Sequence, residues 1–526
     1  MKRIYKITQV ALFGALVVGC TDLDTAPLSS TITADQKEDV VAADPSKIEA
    51  SVTAITANFT QYAKIYTEDD NVHSDIGYPT IMLATDSRTT DFVADITGYN
   101  WYSNSADYSD CLSTSTATIE FWGTLYNQIY TANAVIGTVD NETSDPTLQF
   151  YLAQALAIRA FDYFTLVQLY QFNYKGHEDA PGVPIITPEN AEEAAANGCA
   201  RSTVKETYEF ILGDLNKAIE LLANTKKTRS DKRYVSLDVA YGIRARVHLT
   251  MHNYADALKD AEAALASTSS VPYSSAAVSK PTFIDIEDAS WMWGILITDK
   301  DRVSTTGICN FPSHMGSLNY GYASVGGWRR ISPKLYNQIP ESDVRKGWFL
   351  DDTGVSVNLP AAAQAYITKK GAPVYTQVKY GPMNDEWGSN NNATDVILMR
   401  VEEMYLIKAE AQAMNNDVSG GVNTLNSFVN TYRDPSYKCT ATTGEAVQEA
   451  VWHQRRIEFW GEGLAYFDIM RLNKGVNRLG CGFPKTAVFN IAAGDPVQIY
   501  SIPNKEVQYN PCLLYTSPSP RDVEES

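Results

Sequence analysis

Residues 244–265 read RARVHLTMHNYADALKDAEAAL, and this stretch decides the fold. Its second half, from Asn253 onward, places Ala257, Ala261 and Ala264 three or four residues apart. That spacing puts small side chains on one helix face, where they let a neighbouring helix approach closely. Together with residues 244–252, the stretch predicts a helix pair of the tetratricopeptide type.

Helical periodicity extends over much of the chain. Trp122, Tyr126 and Ile129 follow one another at spacings of four and three residues, as on one face of a helix. Thr203 precedes Glu206 by three residues, which predicts a capping box at a helix start. Further helices are predicted at about residues 156–170, 203–222, 237–251, 399–414, 420–432 and 444–460.

Two stretches lack this periodicity, at about residues 65–115 and 267–398. The second is rich in Gly, Ser, Asn, Trp and Tyr. Long irregular segments on a helical framework are typically functional, and their aromatic content favours ordered loops. We therefore predict a mainly α fold, a single large domain in which tetratricopeptide-like helix pairs form a curved scaffold carrying long irregular, ligand-binding loop insertions.

The composition of the 526 residues is globular and acidic. Hydrophobic residues make up 44%, and 62 Asp and Glu against 43 Lys and Arg give a formal net charge of −19. A chain this acidic repels phosphate backbones, which argues against nucleic-acid binding. After the N-terminus, no apolar run is long enough to cross a membrane as a helix.

The first twenty residues have the form of an export signal. Lys2, Arg3 and Lys6 precede a short apolar run that ends in Val17-Val18-Gly19-Cys20. The ending resembles a bacterial lipobox, which implies cleavage before Cys20 and its acylation, for example by palmitate. An ordinary signal peptide ending near a cysteine is the alternative. We predict a lipoprotein signal peptide at residues 1–19 and an acylated flexible tether at residues 20–34.

Several blocks, in this order, resemble the SusD/RagB family of outer-membrane lipoproteins. These blocks are the mature start at Cys20, the helices with Trp122 and with Arg159, the proline loop at Pro181, Arg400-Val-Glu-Glu-Met-Tyr-Leu406, and Arg456-Ile-Glu458-Phe-Trp-Gly-Glu462 with Asp468 and Arg471. The resemblance implies a SusD-like domain at residues 35–511, with an N-terminal part at about 35–230 and a C-terminal part at about 231–511. It also implies that the protein is anchored in the outer membrane and faces the cell exterior.

The last residues depart from the family pattern. After Pro511 the chain reads CLLYTSPSPRD. We interpret residues 512–526 as a non-native or disordered tail, translated from sequencing adapter, and expect no folding role for it.

Catalytic motifs are not evident in the sequence. Glu458 and Glu462 lie four residues apart on one predicted helix face, which could mimic an acid/base pair. Ion pairs to Arg455, Arg456 and Arg471 are the more ordinary interpretation. The six scattered His residues form no metal-binding pattern. We therefore predict a protein without enzyme activity, cofactor or metal.

Polar and aromatic residues of the kind that bind sugars concentrate in the two irregular stretches. Flat aromatic rings contact the C–H faces of a sugar, and Asn, Asp and Arg side chains reach its hydroxyls. Such rings can equally pack loops onto a scaffold. In the family, loops from these two regions lie near the ligand. The candidate glycan-binding residues are Arg88, Asp91, Asn100, Trp101, Tyr102, Asn104, Asn319, Tyr320, Tyr322 and Trp328.

The family resemblance implies a function in nutrient import. A SusD-like lipoprotein captures oligosaccharide or polysaccharide at the cell surface and hands it to a SusC-like TonB-dependent transporter, which it covers as a lid. The alternatives are a RagB-like peptide-binding import lipoprotein, a surface glycoside hydrolase, and a scaffold that binds only protein.

Overall fold

The computed structural model describes residues 34–62, 72–305 and 307–515. The chain divides into two compact units, Met1–Lys47 and Ile48–Ser526. The lipidation site predicted at Cys20, the tether before residue 34 and the tail beyond residue 515 lie outside the described residues.

Helices dominate the described residues. The α-helices are α1 (Ala34–Ala43), α2 (Glu49–Ala57), α3 (Tyr78–Ser87), α4 (Ser103–Ala106), α5 (Thr116–Ile136), α6 (Pro146–Tyr170), α7 (Ala191–Asn197), α8 (Val204–Asn224), α9 (Leu237–Thr250), α10 (Tyr254–Ser267), α11 (Ser275–Val278), α12 (Arg302–Thr305), α13 (Phe311–Met315), α14 (Tyr322–Val325), α15 (Pro333–Tyr336), α16 (Ala361–Lys369), α17 (Val401–Met414), α18 (Val418–Tyr432), α19 (Gly444–Glu458), α20 (Ala465–Arg471) and α21 (Asn504–Tyr509). Short 3₁₀ helices span Pro45–Ile48, Ser109–Cys111, Val344–Trp348, Met383–Asp385, Lys485–Ala487, Pro496–Gln498 and Pro511–Tyr515.

Strands are few and short, and each pairs with a single antiparallel partner. They are β1 (Phe92–Ala94) with β5 (Arg329–Ile331), β2 (Pro181–Pro184) with β3 (Arg201–Thr203), β4 (Trp291–Ile295) with β6 (Val396–Arg400), and β7 (Val476–Asn477) with β8 (Asn490–Ile491). The mainly α prediction is confirmed.

The long helices pack on one another largely in chain order. α5 packs on α6, α6 on α8, α8 on α9, α9 on α10, and α10 on α17, which also contacts α18 and α19. The predicted capping box starts α8, because Thr203 Oγ1 accepts from the Glu206 N–H at 3.1 Å while the Glu206 carboxylate accepts from the Thr203 N–H at 2.8 Å. These helices form the scaffold that the sequence predicts.

Small residues set the close approaches within the helix pairs. Ala257, Ala261 and Ala264 of α10 are completely buried, as their spacing predicts. In the second pair, a Cβ added at Gly421 of α18 would lie 2.6 Å from the carbonyl oxygen of Ala409 in α17. Two helices with such residues at their contact can pack closely, as tetratricopeptide-type pairs do.

Two predicted helix starts are wrong. The helix predicted from about residue 156 is α6, which begins at Pro146. The helix predicted from residue 399 begins at Val401, because Val396–Arg400 forms strand β6 against β4. Val396 and Ile397 are β-branched and buried, and such residues favour a strand between two packed faces. Between the long helices, residues 267–398 contain only short elements, the longest being the nine-residue α16.

The C-terminal residues contact the domain beyond the predicted boundary at 511. Leu513 is fully buried, and Asn510 donates to the Cys199 carbonyl at 2.9 Å. Leu513 thus packs on the body of the structure, and where the native protein ends stays a prediction. None of the helices in the described ranges is long and apolar enough to cross a membrane.

Candidate functional site

Strands β1 and β5 bring the two predicted binding regions together. Phe92 pairs with Ile331 and Ala94 with Arg329, so the loop after β1 lies against the segment before β5. The Arg329 guanidinium donates to Asn100 Oδ1 at 2.7 Å across this junction. The regions around residues 86–104 and 319–330 therefore form one surface, although more than two hundred residues separate them in sequence.

An aromatic cluster occupies this surface. Trp101 stacks on His73 with ring centroids 4.9 Å apart and planes 23° from parallel. Tyr322 stacks on His314 at 4.9 Å, and its ring meets that of Trp101 edge-on at 6.1 Å. The Tyr322 hydroxyl also forms a hydrogen bond with His73 Nδ1. Four rings from two distant segments thus hold one another in place.

The histidines of the cluster favour their neutral forms. Burial lowers the pKa of His314 to about 3, although Nε2 bonds the His73 carbonyl at 2.9 Å. Burial also lowers the pKa of His73. The cluster therefore presents uncharged ring faces at neutral pH, which suits contact with an uncharged ligand.

Three of the ten predicted residues have substantial exposure. Trp101 is 36% exposed and Tyr320 is 46% exposed, and Asn104 lies on the surface next to Trp101. Tyr322 is nearly buried, at 9%, beneath Trp101. These four residues form the part of the prediction that a ligand could reach in this structure.

Three of the remaining six, Arg88, Asp91 and Trp328, are buried by internal partners. Arg88 is closed to solvent and pairs with Asp110 at 2.6 Å. Asp91 pairs with Arg456 at 2.6 Å. Trp328 packs into an apolar cluster with Leu318, Leu350, Ile367 and Val378.

Asn100, Asn319 and Tyr102 are also buried. Asn100 accepts from Arg329, and Asn319 donates to Asn392 Oδ1 at 2.5 Å. Tyr102 is 2% exposed. Arg88, Asp91, Asn100, Asn319 and Trp328 are therefore engaged inside the protein, which corrects the expectation that they contact a sugar, whereas Tyr102 lines the cavity described next.

An open cavity of about 390 Å³ adjoins Trp101. Tyr102, Asn104 and Glu120 also line it, with several Ser and Thr residues around them. Sequence reasoning missed His73 and Glu120. His73 lies in an irregular stretch without a motif. Glu120 could have been identified from the sequence, because Glu120, Thr124 and Gln128 place polar side chains at every fourth position of α5.

Glu458 and Glu462 belong to a buried ion network. Glu458 is fully buried and pairs with Arg433 at 2.8 Å, Arg400 at 3.1 Å and Arg345 at 3.3 Å. Glu462 pairs with Lys379 at 2.5 Å. Glu458 and Glu462 form ion pairs, as expected, but their partners are not the arginines predicted from the sequence.

The three predicted arginines pair elsewhere. Arg455 pairs with Asp468, Arg456 with Asp91, and Arg471 with Glu410. Helix spacing alone suggests them, whereas the partners of Glu458 come from a 3₁₀ helix (Arg345), strand β6 (Arg400) and the end of α18 (Arg433). Burial raises the pKa of Glu458, but the neighbouring guanidinium groups, Arg433 first, outweigh burial and hold that pKa below its ordinary value. The carboxylate is accordingly charged and fully engaged.

Across the described ranges, no three His, Cys, Asp or Glu side chains lie together as a metal site would require. The candidate site thus consists of the aromatic cluster, the exposed residues beside it and the adjoining cavity.

Family profiles match both halves of the chain. A profile described as "Starch-binding associating with outer membrane" covers residues 35–249, and one described as "SusD family" covers residues 340–520. SusD-like protein P2 of Formosa agariphila is 25% identical over 392 residues, which is 68% of this chain and 72% of that protein.

Solved structures share the fold. A SusD-like carbohydrate binding protein from Bacteroides vulgatus superimposes with a TM-score of 0.72 at 22% identity, covering 90% of this chain and 98% of its own. A SusD superfamily protein from Bacteroides thetaiotaomicron gives a TM-score of 0.68 at 21% identity, with 89% and 98% covered. The fold, the two profile matches and the order of the sequence blocks agree, and the chain belongs to the SusD/RagB family.

Proposed function

We propose that this protein is a cell-surface glycan-binding lipoprotein that captures oligosaccharide or polysaccharide at the Trp101 surface. The observation that carries the proposal is the partly exposed Trp101 ring, stacked on His73 and flanked by Tyr322. The exposed Tyr320 and Asn104 add a second ring and an amide within the same two segments. Such a mixture fits the C–H faces and hydroxyls of a sugar.

The fixed position of the Trp101 ring favours binding. A side chain that is already ordered loses little conformational entropy when a ligand arrives. The neutral imidazoles beneath it place no formal charge against the sugar face.

Delivery to a SusC-like TonB-dependent transporter is the second part of the proposal. The family membership supports it, as does the profile described as associating with the outer membrane. Acylation of Cys20 would anchor the mature chain without a spanning helix. The protein would then hold its ligand at the outer face and release it into the transporter.

The test of capture is affinity electrophoresis of the soluble chain on a panel of plant, host and microbial polysaccharides, followed by titration with the one that retards it most. Replacing Trp101 or Tyr320 by Ala should weaken that binding by about 1–3 kcal/mol, roughly 5- to 150-fold. Tyr130→Ala is the matched control, because Tyr130 is 74% exposed on α5 and outside the cluster. Unchanged isotherms for both site variants would refute this placement of the site.

The anchoring and delivery steps need a cellular assay. Cys20→Ala should abolish labelling by palmitate and move the protein out of the membrane fraction. Wild-type protein solubilised from the outer membrane should co-purify with a TonB-dependent transporter. Recovery without one, under conditions that preserve membrane complexes, would count against the delivery step while leaving glycan capture intact.

A further inference from the structure

The cavity beside Trp101 has an exposed rim and a buried floor. Trp101, Asn104 and Ser109 are exposed at its edge, whereas Tyr102 and Glu120 are each only 2% exposed. Its volume of about 390 Å³ is within the range of pockets that hold small organic ligands. The cavity is therefore large enough to receive a part of the glycan that reaches the Trp101 surface.

Glu120 is an unusual residue for such a floor. Its Oε1 atom is shielded from solvent and has no hydrogen-bond partner among the described residues. Burial, and then the nearby Asp75 carboxyl, raises the pKa of Glu120 well above its ordinary value. A buried carboxyl oxygen without a hydrogen-bond partner is costly, so a ligand hydroxyl that bonds Glu120 would be favoured at this position.

The charges around the cavity also constrain its occupant. The lining residues within the described part of the chain include Asp110 and Glu120 but no Lys, Arg or His. Asp110 is already engaged by Arg88 at 2.6 Å and by the Tyr500 hydroxyl at 3.0 Å. A uronate or sulfate group entering the cavity would lose water and find no cation to replace it.

We propose that this cavity is a subsite for one uncharged sugar residue, with Glu120 as the residue that sets its specificity. The Glu120 carboxyl bonds a ring hydroxyl at the floor, while the Trp101 ring contacts the sugar at the rim. Anionic sugar residues are excluded because the lining offers them carboxyl groups and no positive charge. This inference rests on the proposed glycan-binding function.

The first experiment is affinity electrophoresis of the wild type on matched sets of polysaccharides. The uncharged set contains starch, xylan, mannan, galactan and mixed-linkage β-glucan. The anionic set contains polygalacturonate, alginate, carrageenan and heparin. We expect retardation only by members of the uncharged set.

The second experiment measures the affinity of Glu120 variants for the polysaccharide that retards the wild type most, by isothermal titration. Glu120→Ala should weaken binding at least fivefold, whereas Glu120→Gln should stay within about twofold, because the amide keeps an acceptor oxygen at the same place. Glu192→Ala is the control, since Glu192 is exposed on α7. Far-UV circular dichroism and the thermal midpoint establish that each variant is folded.

The outcomes separate this inference from the function on which it rests. Retardation by polygalacturonate or carrageenan as strong as by any uncharged member would overturn the subsite but support glycan capture. Unchanged affinity in folded Glu120→Ala would also overturn the subsite and leave glycan capture supported. If Glu120→Ala does not fold, a loss beyond twofold in Glu120→Gln overturns the inference. Retardation by no polysaccharide at all would overturn both proposals.

Discussion

Substitution of Glu458 by Gln tests whether the buried ion network stabilises the fold. The side chain is completely buried and contacts three guanidinium groups. The network contains equal numbers of positive and negative groups, Arg345, Arg400, Arg433 and Lys379 against Asp343, Glu402, Glu458 and Glu462. Glu458→Gln keeps the shape but leaves one positive charge without compensation.

The expected cost is large because the unpaired charge stays buried. Breaking a buried ion pair in this way costs about 3–5 kcal/mol. The entropy of unfolding of a chain with roughly 480 folded residues is about 1 kcal/mol per kelvin, so the thermal midpoint should fall by about 3–5 °C. Calorimetry measures this shift directly.

A matched control and a rescue make the test specific. Glu445→Gln removes an exposed carboxylate from the same helix, α19, and should change the midpoint by less than about 1 °C. Adding Lys379→Met to Glu458→Gln restores the charge balance. Burial already lowers the pKa of Lys379 to about 8, so this charge is the least costly to remove. The double-mutant cycle should show a coupling of at least about 1 kcal/mol. A loss below about 1 kcal/mol in Glu458→Gln, or no coupling, would refute the argument.

Three further changes test other parts of the structure. Asp162 is fully buried with both carboxyl oxygens lacking partners among the described residues, and burial raises its pKa well above the ordinary value. The free energy of unfolding of the wild type should therefore fall relative to that of Asp162→Asn as pH rises above about 4, by up to about 1.4 kcal/mol per pH unit. Urea denaturation measures both free energies, and a difference that stays constant with pH would contradict this. Thr203→Ala removes the cap that bonds Glu206 and should cost about 1 kcal/mol in the same assay. Gly421→Ala should cost about 1–3 kcal/mol because its Cβ meets the backbone of α17, whereas Gly213→Ala in α8, where nothing lies within 4 Å, should stabilise the protein by up to about 1 kcal/mol.

The helices could be predicted from the sequence because their signals are local. The segment predicted at residues 237–251 is α9, Leu237–Thr250, and the one predicted at residues 420–432 is α18, Val418–Tyr432. Periodicity and caps depend on residues within two or three turns. Strand β6 was missed because its pairing partner, β4, lies about a hundred residues earlier in the chain.

Burial of the candidate binding residues could not be predicted in the same way. Arg88 and Asp91 have the composition of a sugar site, yet Arg88 is fixed by Asp110 and Asp91 by Arg456 of α19. These partners are 22 and 365 residues away. Trp101, Asn104 and Tyr320 keep substantial exposure, and no local pattern distinguishes them from their buried neighbours.

The buried candidates have a structural role in the loops that the composition singled out. Arg329 donates to Asn100 and to the His314 carbonyl, and so ties the loop that carries Trp101 to the ring stacked on Tyr322. The polar residues that hold two irregular loops together are of the same types that bind sugar hydroxyls, since both tasks require planar amides and guanidinium groups. Most side chains of a polar and aromatic loop can therefore face inward. Their role is to position the few rings that remain exposed.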